Sequence, residues 1–154
     1  MFNIRVYGIL IDDEHRVLVS DEYIRGRYYT KFVGGGMEIG EGSIDCLVRE
    51  FKEEMNLRIK VLDHFYTTDF YQQSAFNPQH QIVSLYYTVQ PLEPIAVPVN
   101  TEAFIFTEEQ MQKYLQQGET ESFRWIAARN FDENCLTLPI DKVVAAKIKQ
   151  LLPG

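Results

Sequence analysis

Residues 34–57 read GGGMEIGEGSIDCLVREFKEEMNL, and the interpretation of the whole chain starts from this stretch. It opens with three glycines, carries an acid at Glu41, and continues into a segment with helical spacing. The charged side chains of that segment are Asp45, Arg49, Glu50, Lys52, Glu53 and Glu54. A glycine loop followed by clustered carboxylates indicates a site for a hard divalent cation.

The helical part of this stretch has an apolar side and an acidic side. Apolar side chains recur at the i, i+3, i+4 spacing of one helix face, which we expect to pack against the core: Ile44, Leu47, Val48, Phe51 and Met55. Glu50, Glu53 and Glu54 are related by the same spacings, so they cluster on a different side. The sequence therefore predicts three carboxylates in one small volume.

Such an acidic cluster has two interpretations. Like charges at this spacing destabilise a helix by roughly 0.2 to 0.5 kcal/mol per pair, and only Lys52 and Arg49 are near enough to compensate. A bound divalent cation would reverse that effect, and oxygen ligands in this number suit Mg²⁺ or Mn²⁺ completed by substrate phosphates. The alternative is an ordinary solvated helix face, which a pair of glutamates alone would indicate.

A longer pattern decides between the two interpretations. Counted from Gly35, the chain follows G-x5-E-x7-R-E-U-x-E-E-x-G-U, where U is apolar, and departs from it only at Asn56. The pattern resembles the Nudix box, the signature of the Nudix hydrolases. Asn tolerates the left-handed conformation in which a glycine would cap the helix, so we interpret Asn56 as a conservative change. A second, softer departure is Val33, where many family members have proline.

The resemblance implies a fold and a reaction. The fold is the Nudix fold, an α+β structure in which a mixed β-sheet lies between helices as an α/β/α sandwich. The reaction is hydrolysis of a nucleoside diphosphate linked to another moiety, with a divalent metal and water. Mg²⁺ or Mn²⁺ is the implied cofactor.

The same resemblance implies roles for the residues of the box. The implied metal ligands are a carbonyl oxygen of Gly34 or Gly35 and the carboxylates of Glu50, Glu53 and Glu54. Any of these glutamates is a candidate for positioning or deprotonating water, and none is singled out as the base. Glu41 and Arg49 are expected to hold the loop against the helix through an ion pair.

Cationic side chains precede the glycines. The segment 21–31 carries Arg25, Arg27 and Lys31 among three tyrosines. We predict that one of these cations binds a phosphate or the base of the substrate, and the alternative is a solvated loop.

A second acidic candidate lies far along the chain. Residues 119–131, ETESFRWIAARNF, resemble a Nudix strand in which an acid precedes a tryptophan. Glu119 and Glu121 both precede Trp125, so one of them is our candidate for an additional metal ligand or base, and we assign the ligand role to Glu121. A plain surface position is the alternative for either acid.

The remaining elements follow from local patterns. Residues 3–11 and 17–20 are apolar and flank the turn-forming DDEHR, which predicts an opening hairpin. Residues 58–71 and 81–90 have strand composition. Thr107 and Gln110 form a capping box that predicts a short helix, and Pro139 marks the start of a C-terminal helix.

Composition limits the class and the partners. The 154 residues are predicted to form a single domain over 1–154, with 45% hydrophobic and 24% charged residues. A net charge of −7 argues against long nucleic acid, whereas a small nucleotide remains compatible because a bound metal dominates the local charge.

The cysteines, the apolar runs and the first residues of the sequence bear on the location of the protein. The two cysteines, Cys46 and Cys135, lack metal-binding spacing, which favours reduced thiols and a cytoplasmic protein. No apolar run has the length of a membrane span, and residues 1–8 lack a signal-peptide layout, so no membrane partner is expected. A homodimer would be ordinary for a small family member.

The substrate is predicted only by class. The leading prediction is a pyrophosphohydrolase that converts an NTP or dNTP to NMP and pyrophosphate. The alternatives are an ADP-ribose or other nucleotide-sugar pyrophosphatase, a non-catalytic nucleotide-sensing Nudix module, and an acidic interaction domain. The base and leaving moiety are read by residues outside the box, so the box does not choose among them.

Overall fold

The computed structural model describes residues 1–154. The strands are β1 (Phe2–Ile9), β2 (Val17–Ile24), β3 (Arg27–Lys31), β4 (Val33–Gly36), β5 (Ile59–Thr67), β6 (Gln81–Pro91), β7 (Val99–Asn100) and β8 (Glu119–Ile126). The helices are α1 (Ser43–Met55), α2 (Glu108–Gln117) and α3 (Pro139–Leu151). Two short 3-10 turns, Ala128–Asn130 and Glu133–Cys135, precede α3.

The chain forms two compact units, each made of two stretches of sequence. The first contains Met1–Leu10 and Val33–Val97, and the second contains Ile11–Phe32 and Pro98–Gly154. Each has a four-stranded sheet, with strand order β4-β1-β6-β5 in the first and β3-β2-β8-β7 in the second. The single domain over 1–154 stays a prediction.

Both sheets combine parallel and antiparallel neighbours. β1 runs parallel to β6 and β7 runs parallel to β8, whereas the other neighbouring strands are antiparallel. Mixed sheets with three helices confirm the predicted α+β class.

Buried apolar side chains occur in both units. In the first unit they include Val6 and Ile9 of β1 and Leu47 and Phe51 of α1. In the second unit the largest buried contributions include Leu18, Phe131, Leu136 and Ile148. Burial of such side chains contributes about 1.5 to 3 kcal/mol each, so each unit has apolar side chains that stabilise it.

The predicted opening hairpin is wrong. β1 lies between β4 and β6, whereas β2 lies between β3 and β8. The DDEHR turn does form, because Asp12 Oδ1 accepts a hydrogen bond of 2.8 Å from Arg16 N–H, but it closes only an isolated bridge between Ile11 and Val17. The turn was therefore predictable from local chemistry, but the partners of β1, which are distant in sequence, were not.

A different hairpin occupies the segment with the cations. β2 and β3 are joined by Arg25 and Gly26, whose φ angles of 47° and 80° are both left-handed. Two such residues form the tight turn whose twist matches antiparallel strands. The solvated loop considered for residues 21–31 is consequently a strand, a turn and a second strand.

The predicted helix starts are confirmed. Thr107 Oγ1 accepts from Gln110 N–H at 3.1 Å, and Gln110 Oε1 accepts from Thr107 N–H at 2.8 Å, which completes the capping box of α2. Pro139 is the first residue of α3, where its missing N–H is not needed. None of the three helices has both the length and the apolar character needed to cross a membrane.

A buried ion pair joins β2 and β8 in the second unit. The Asp21 carboxylate, of which 1% is exposed, accepts from Arg124 Nε at 2.8 Å and Nη2 at 2.9 Å. It also accepts from Thr30 Oγ1 at 2.8 Å and from Phe104 N–H at 3.2 Å. All the hydrogen-bonding capacity of this buried carboxylate is therefore used.

Candidate functional site

The glycine strand β4 brings its backbone close to helix α1. β4 is an edge strand and runs antiparallel to β1, with Gly35 opposite Val6 and Gly36 opposite Arg5. A Cβ atom at Gly35 would lie 2.5 Å from both Cδ and Oε1 of Glu50. Only glycine at this position leaves room for the Glu50 carboxylate against the strand.

Helix α1 buries a face that differs in part from the predicted one. Leu47, Phe51 and Met55 are buried as expected, and Cys46 is buried with them. Ile44 is 53% exposed and Val48 is also exposed, so the prediction that they face the core is wrong. The buried face therefore includes Cys46 rather than Ile44 and Val48. Glu50 is one helical turn after Cys46 on the same side of α1, so it is half-buried.

Both ends of α1 are fixed by the residues of the Nudix box. At the start, Gly42 N–H donates to Asp45 Oδ2 at 3.2 Å. At the end, Asn56 adopts the left-handed conformation with φ 50° and ψ 40°, and its N–H donates to the Lys52 carbonyl at 3.0 Å. The interpretation of Asn56 as a left-handed helix cap is confirmed.

Arg49 connects the loop to the carboxylates of the helix. Its Nη2 and Nε donate to the two carboxylate oxygens of Glu41 at 2.6 and 3.0 Å, a bidentate pair. Its Nη1 donates to Glu50 Oε1 at 2.9 Å and to Glu53 Oε2 at 3.2 Å. Nη2 also reaches the Gly36 carbonyl at 3.1 Å. The expected ion pair between Glu41 and Arg49 is present, and it ties the loop, the glycine strand and the helix together.

The charges at this site perturb its ionisable groups. The hydrogen bond from Arg49 lowers the pKa of Glu41 to about 2, and the same interaction raises the pKa of Arg49. Burial raises the pKa of Glu50, although Arg49 opposes that effect. Burial also raises the pKa of Cys46 to about 12, which makes this thiol a packing group rather than a nucleophile.

The donor set of the helix fits a hard divalent cation. The Glu50 carboxylate occupies the space that a side chain at Gly35 would need. Glu53 lies one turn further along α1, and Glu54 is half-buried on the same helix. Carboxylate oxygens beside a backbone carbonyl are the ligands that Mg²⁺ and Mn²⁺ prefer.

The three glutamates are not gathered into one metal-binding group in this structure. No three His, Cys, Asp or Glu side chains are grouped closely enough to hold an ion. Glu50 and Glu53 instead share the guanidinium of Arg49. The structure therefore brings Glu41, Glu50 and Glu53 together through Arg49, and the roles of all these residues stay predictions.

The predicted phosphate-binding cations lie at different places on the β2–β3 hairpin of the second unit. Arg25 is in the turn and Arg27 is exposed at the start of β3. Lys31 ends β3 and is buried, with its Nζ 3.1 Å from Glu22 Oε1. Because four residues of strand span roughly 13 Å, Lys31 is separated from Arg27 along the hairpin.

Glu121 is also part of the second unit. It lies on β8, is half-buried, and is directly opposite Glu22 of β2 in the antiparallel pairing. Trp125, four positions later on the same strand, lies opposite Leu18. The strand is confirmed, and the role of Glu121 as a metal ligand stays a prediction.

Arg5 is a charged residue of the first unit that we did not predict from the sequence. It lies on β1 beside Gly36, with its Nη1 3.7 Å from the position that a Cβ of Gly36 would take. The signal was the alternation of polar Asn3 and Arg5 with apolar Ile4 and Val6, which places the two polar side chains on one side of β1.

Comparison with known proteins identifies the family. A family model described as the NUDIX domain matches residues 1–131. The chain belongs to the Nudix family. The match includes the whole Nudix box and all eight strands, so the Nudix fold and the class of Nudix hydrolase are confirmed.

Solved structures support the same fold. The solution structure of the E. coli ORF135 protein has a TM-score of 0.68 at 16% identity and covers 97% of this chain and 90% of its own. A MutT protein from Methanosarcina mazei Go1 has a TM-score of 0.65 at 11% identity, with 97% and 94% covered. An ADP-ribose pyrophosphatase from Streptococcus suis has a TM-score of 0.54 at 12% identity, with 96% and 92% covered. No curated protein matched the chain.

The close approach of the Glu50 carboxylate to Gly35 predicts that a methyl group added at Gly35 lowers turnover. We expect Gly35→Ala to lower turnover by about 10- to 100-fold, because the new Cβ displaces the Glu50 carboxylate while the fold accommodates the shift of a side-chain end. Steady-state kinetics together with thermal unfolding would measure both effects.

Gly42→Ala is the matched control for this substitution. A Cβ at Gly42 would meet Asp45 Oδ2 at an ordinary 3.5 Å, and the φ angle of −84° suits any residue. If Gly35→Ala kept the turnover of the Gly42→Ala protein, the position of Glu50 against the glycine strand would have no bearing on the reaction.

Proposed function

We propose that this Nudix hydrolase is a metal-dependent pyrophosphohydrolase that converts an NTP or dNTP to NMP and pyrophosphate. The observation that carries the proposal is the Glu50 carboxylate held against Gly35 and linked through Arg49 to Glu41 and Glu53. This arrangement supplies several carboxylate oxygens beside the three glycines of β4, which have no side chains.

The proposed roles divide between ligands and supports. Glu50, Glu53 and Glu54, helped by the carbonyl of Gly34 or Gly35, would hold Mg²⁺ or Mn²⁺. When bound, the metal neutralises phosphate charge and lowers the pKa of a water molecule. Glu41 would fix the guanidinium of Arg49, which in turn orients Glu50 and Glu53.

Three cations of the second unit are proposed to contact the substrate: Arg25, Arg27 and Lys31. Arg25 and Arg27 carry exposed charge at the tip of the β2–β3 hairpin, which suits a phosphate or base of the substrate. Lys31 is paired with Glu22, so its contribution would require exchange of that partner. Glu121 is proposed as the additional metal ligand.

A second candidate function is supported by one of the similar structures. The Streptococcus suis protein is described as an ADP-ribose pyrophosphatase and has the same fold at 12% identity. Hydrolysis of ADP-ribose or another nucleotide sugar uses the same diphosphate chemistry, so the box is equally compatible with it. A nucleotide-sensing Nudix module is the non-catalytic alternative.

A substrate panel tests these proposals together. We expect metal-dependent release of phosphate or pyrophosphate from one group among NTPs, dNTPs, ADP-ribose, dinucleoside polyphosphates and NADH. Each compound is assayed with Mg²⁺, Mn²⁺ and EDTA, and EDTA should abolish turnover because the metal supplies the charge neutralisation.

The pattern of turnover decides between the candidates. Preference for an NTP or dNTP supports the leading proposal, whereas preference for ADP-ribose supports the second. If every compound stays intact while one of them raises the unfolding temperature, the sensing module replaces catalysis. The cytoplasmic location and the homodimer remain predictions.

A further inference from the structure

The turn between β2 and β3 is hydrogen-bonded to the end of helix α2. Arg25 N–H donates to the Gly118 carbonyl at 2.9 Å, and Gly26 N–H donates to the Tyr114 hydroxyl at 3.0 Å. Arg25 and Gly26 are the two central residues of the turn, outside the paired residues of β2 and β3. The N–H groups of both turn residues therefore bond to the same end of one helix.

The ring of Tyr114 adds a second contact with the hairpin. It stacks on the ring of Tyr23 with centres 4.1 Å apart and planes 16° apart. Tyr23 also stacks on Tyr28, the residue directly opposite it on β3, with centres 4.5 Å apart. Nearly parallel rings at these distances are an arrangement that aromatic pairs prefer. Tyr114 thus contacts the hairpin through both its hydroxyl and its ring.

The turn needs such support because one of its two central residues is not glycine. Arg25 has a φ angle of 47°, in the left-handed region that a residue with a Cβ adopts only at a cost in free energy. Gly26 has a φ angle of 80°, which glycine adopts readily. Hydrogen bonds to both N–H groups offset the cost at Arg25 and fix the direction in which its side chain leaves the backbone.

The last turn of α2 presents the two acceptors of these hydrogen bonds. Gly118 caps the helix in the left-handed conformation, and its N–H donates to the Tyr114 carbonyl at 2.7 Å. No residue of α2 is buried, so the helix contributes little to the core of its unit. Support of the β2–β3 turn accounts for the geometry of these last residues better than core packing does.

The residue that the turn presents is suited to bind an anion. Arg25 and Arg27 are exposed, and neither pairs with a carboxylate in the structure. Lys31, at the other end of β3, is buried and pairs with Glu22. A binding residue whose backbone is already fixed loses less conformational entropy when its ligand binds. Support of the turn should therefore raise the affinity of Arg25 for an anion.

We propose that Tyr114 is a positioning residue for Arg25. Its hydroxyl and ring hold the β2–β3 turn in the conformation from which Arg25 contacts a phosphate of the substrate, and Tyr114 itself does not touch the substrate. The inference rests on the contact between Arg25 and the substrate that is part of the proposed function. The competing explanation is that Tyr114 only stabilises the second unit by covering Tyr23.

Tyr114→Phe tests the hydrogen bond while the stacked ring is kept. We expect KM for the substrate chosen by the panel to rise about three- to tenfold with kcat unchanged, because Gly26 N–H loses its acceptor and the turn becomes less ordered. Amide exchange at Gly26, followed by NMR, should become faster. Tyr71→Phe is the matched control, because Tyr71 is an exposed tyrosine of the first unit and should change neither quantity.

A double-mutant cycle with Arg25→Gln separates positioning from stability. Arg25→Gln alone should raise KM about tenfold, since the hydrogen bonds lost are charge-assisted. Tyr114→Phe should then have no further effect on KM, because the residue that it positions is gone. A purely structural role predicts the same factor for Tyr114→Phe in both backgrounds, and that result would overturn the proposal. An unchanged KM in either single variant would also overturn it.

The same cycle measured by binding distinguishes failure of this inference from failure of the proposed function. Titration calorimetry gives the Kd for ATP and for ADP-ribose with Mg²⁺, and it needs no turnover. Coupling between Tyr114 and Arg25 in Kd, without hydrolysis of any panel compound, would keep this inference and reject the proposed function. Hydrolysis without coupling would do the reverse. If the unaltered chain bound neither compound and hydrolysed none, both would be rejected.

Discussion

Glu53→Gln and Glu54→Gln are each expected to lower kcat/KM by about a thousandfold, equivalent to about 4 kcal/mol of barrier, while the fold stays intact. Each change replaces a charged oxygen ligand by a neutral amide of the same shape, so affinity for a divalent cation falls more than packing does. The Glu53 side chain is 58% exposed, so its loss should have little effect on the core. Steady-state kinetics across a Mg²⁺ titration, with thermal unfolding of each variant, would measure the effect.

Glu93→Gln is the control for these substitutions. Glu93 lies in the same unit, pairs with Arg58 at 2.6 Å and is outside the box, so turnover should match that of the unaltered chain. Full activity with normal metal dependence in Glu53→Gln or Glu54→Gln would refute the assignment of that residue as a ligand. A loss of activity that high Mg²⁺ partly restores would support it, since weaker binding is overcome by mass action.

The parts of the site that sequence spacing predicts are those whose partners are close along the chain. Glu41 and Arg49 are only eight positions apart in sequence, and the structure joins them as expected. The left-handed cap at Asn56 depends on the local backbone, and it is also present. Contacts of this kind are specified by local geometry, so a motif is sufficient to anticipate them.

Features that depend on distant partners were not predictable in the same way. Ile44 and Val48 are exposed because the elements that α1 packs against determine which of its sides is buried. A periodic sequence pattern defines the buried side of a helix only approximately. β1 pairs in parallel with β6, whose residues follow about 80 positions later, so the DDEHR turn could not indicate it. Lys31 is buried and pairs with the half-buried Glu22 because β2 and β3 form a hairpin, which the composition of residues 21–31 did not indicate.

Asp21→Ala is expected to lower the free energy of unfolding by about 3 to 5 kcal/mol. The substitution leaves the guanidinium of Arg124 without the carboxylate that compensates its charge, and burial of an unpaired charge is costly. Thr30 Oγ1 and Phe104 N–H lose their acceptor as well. Urea unfolding followed by circular dichroism, with the m-value checked for two-state behaviour, would measure the change.

The double variant Asp21→Ala/Arg124→Met tests whether the unpaired charge of Arg124 causes the loss of stability in Asp21→Ala. If the unpaired buried charge is the cause, removal of both partners should restore part of the stability lost in Asp21→Ala, and the double-mutant cycle should show coupling. Arg58→Gln is the control, because its exposed pair with Glu93 should make no measurable contribution. A double variant as unstable as the sum of the two single variants would show that Asp21 acts through Thr30 and the loop at Phe104 rather than through Arg124.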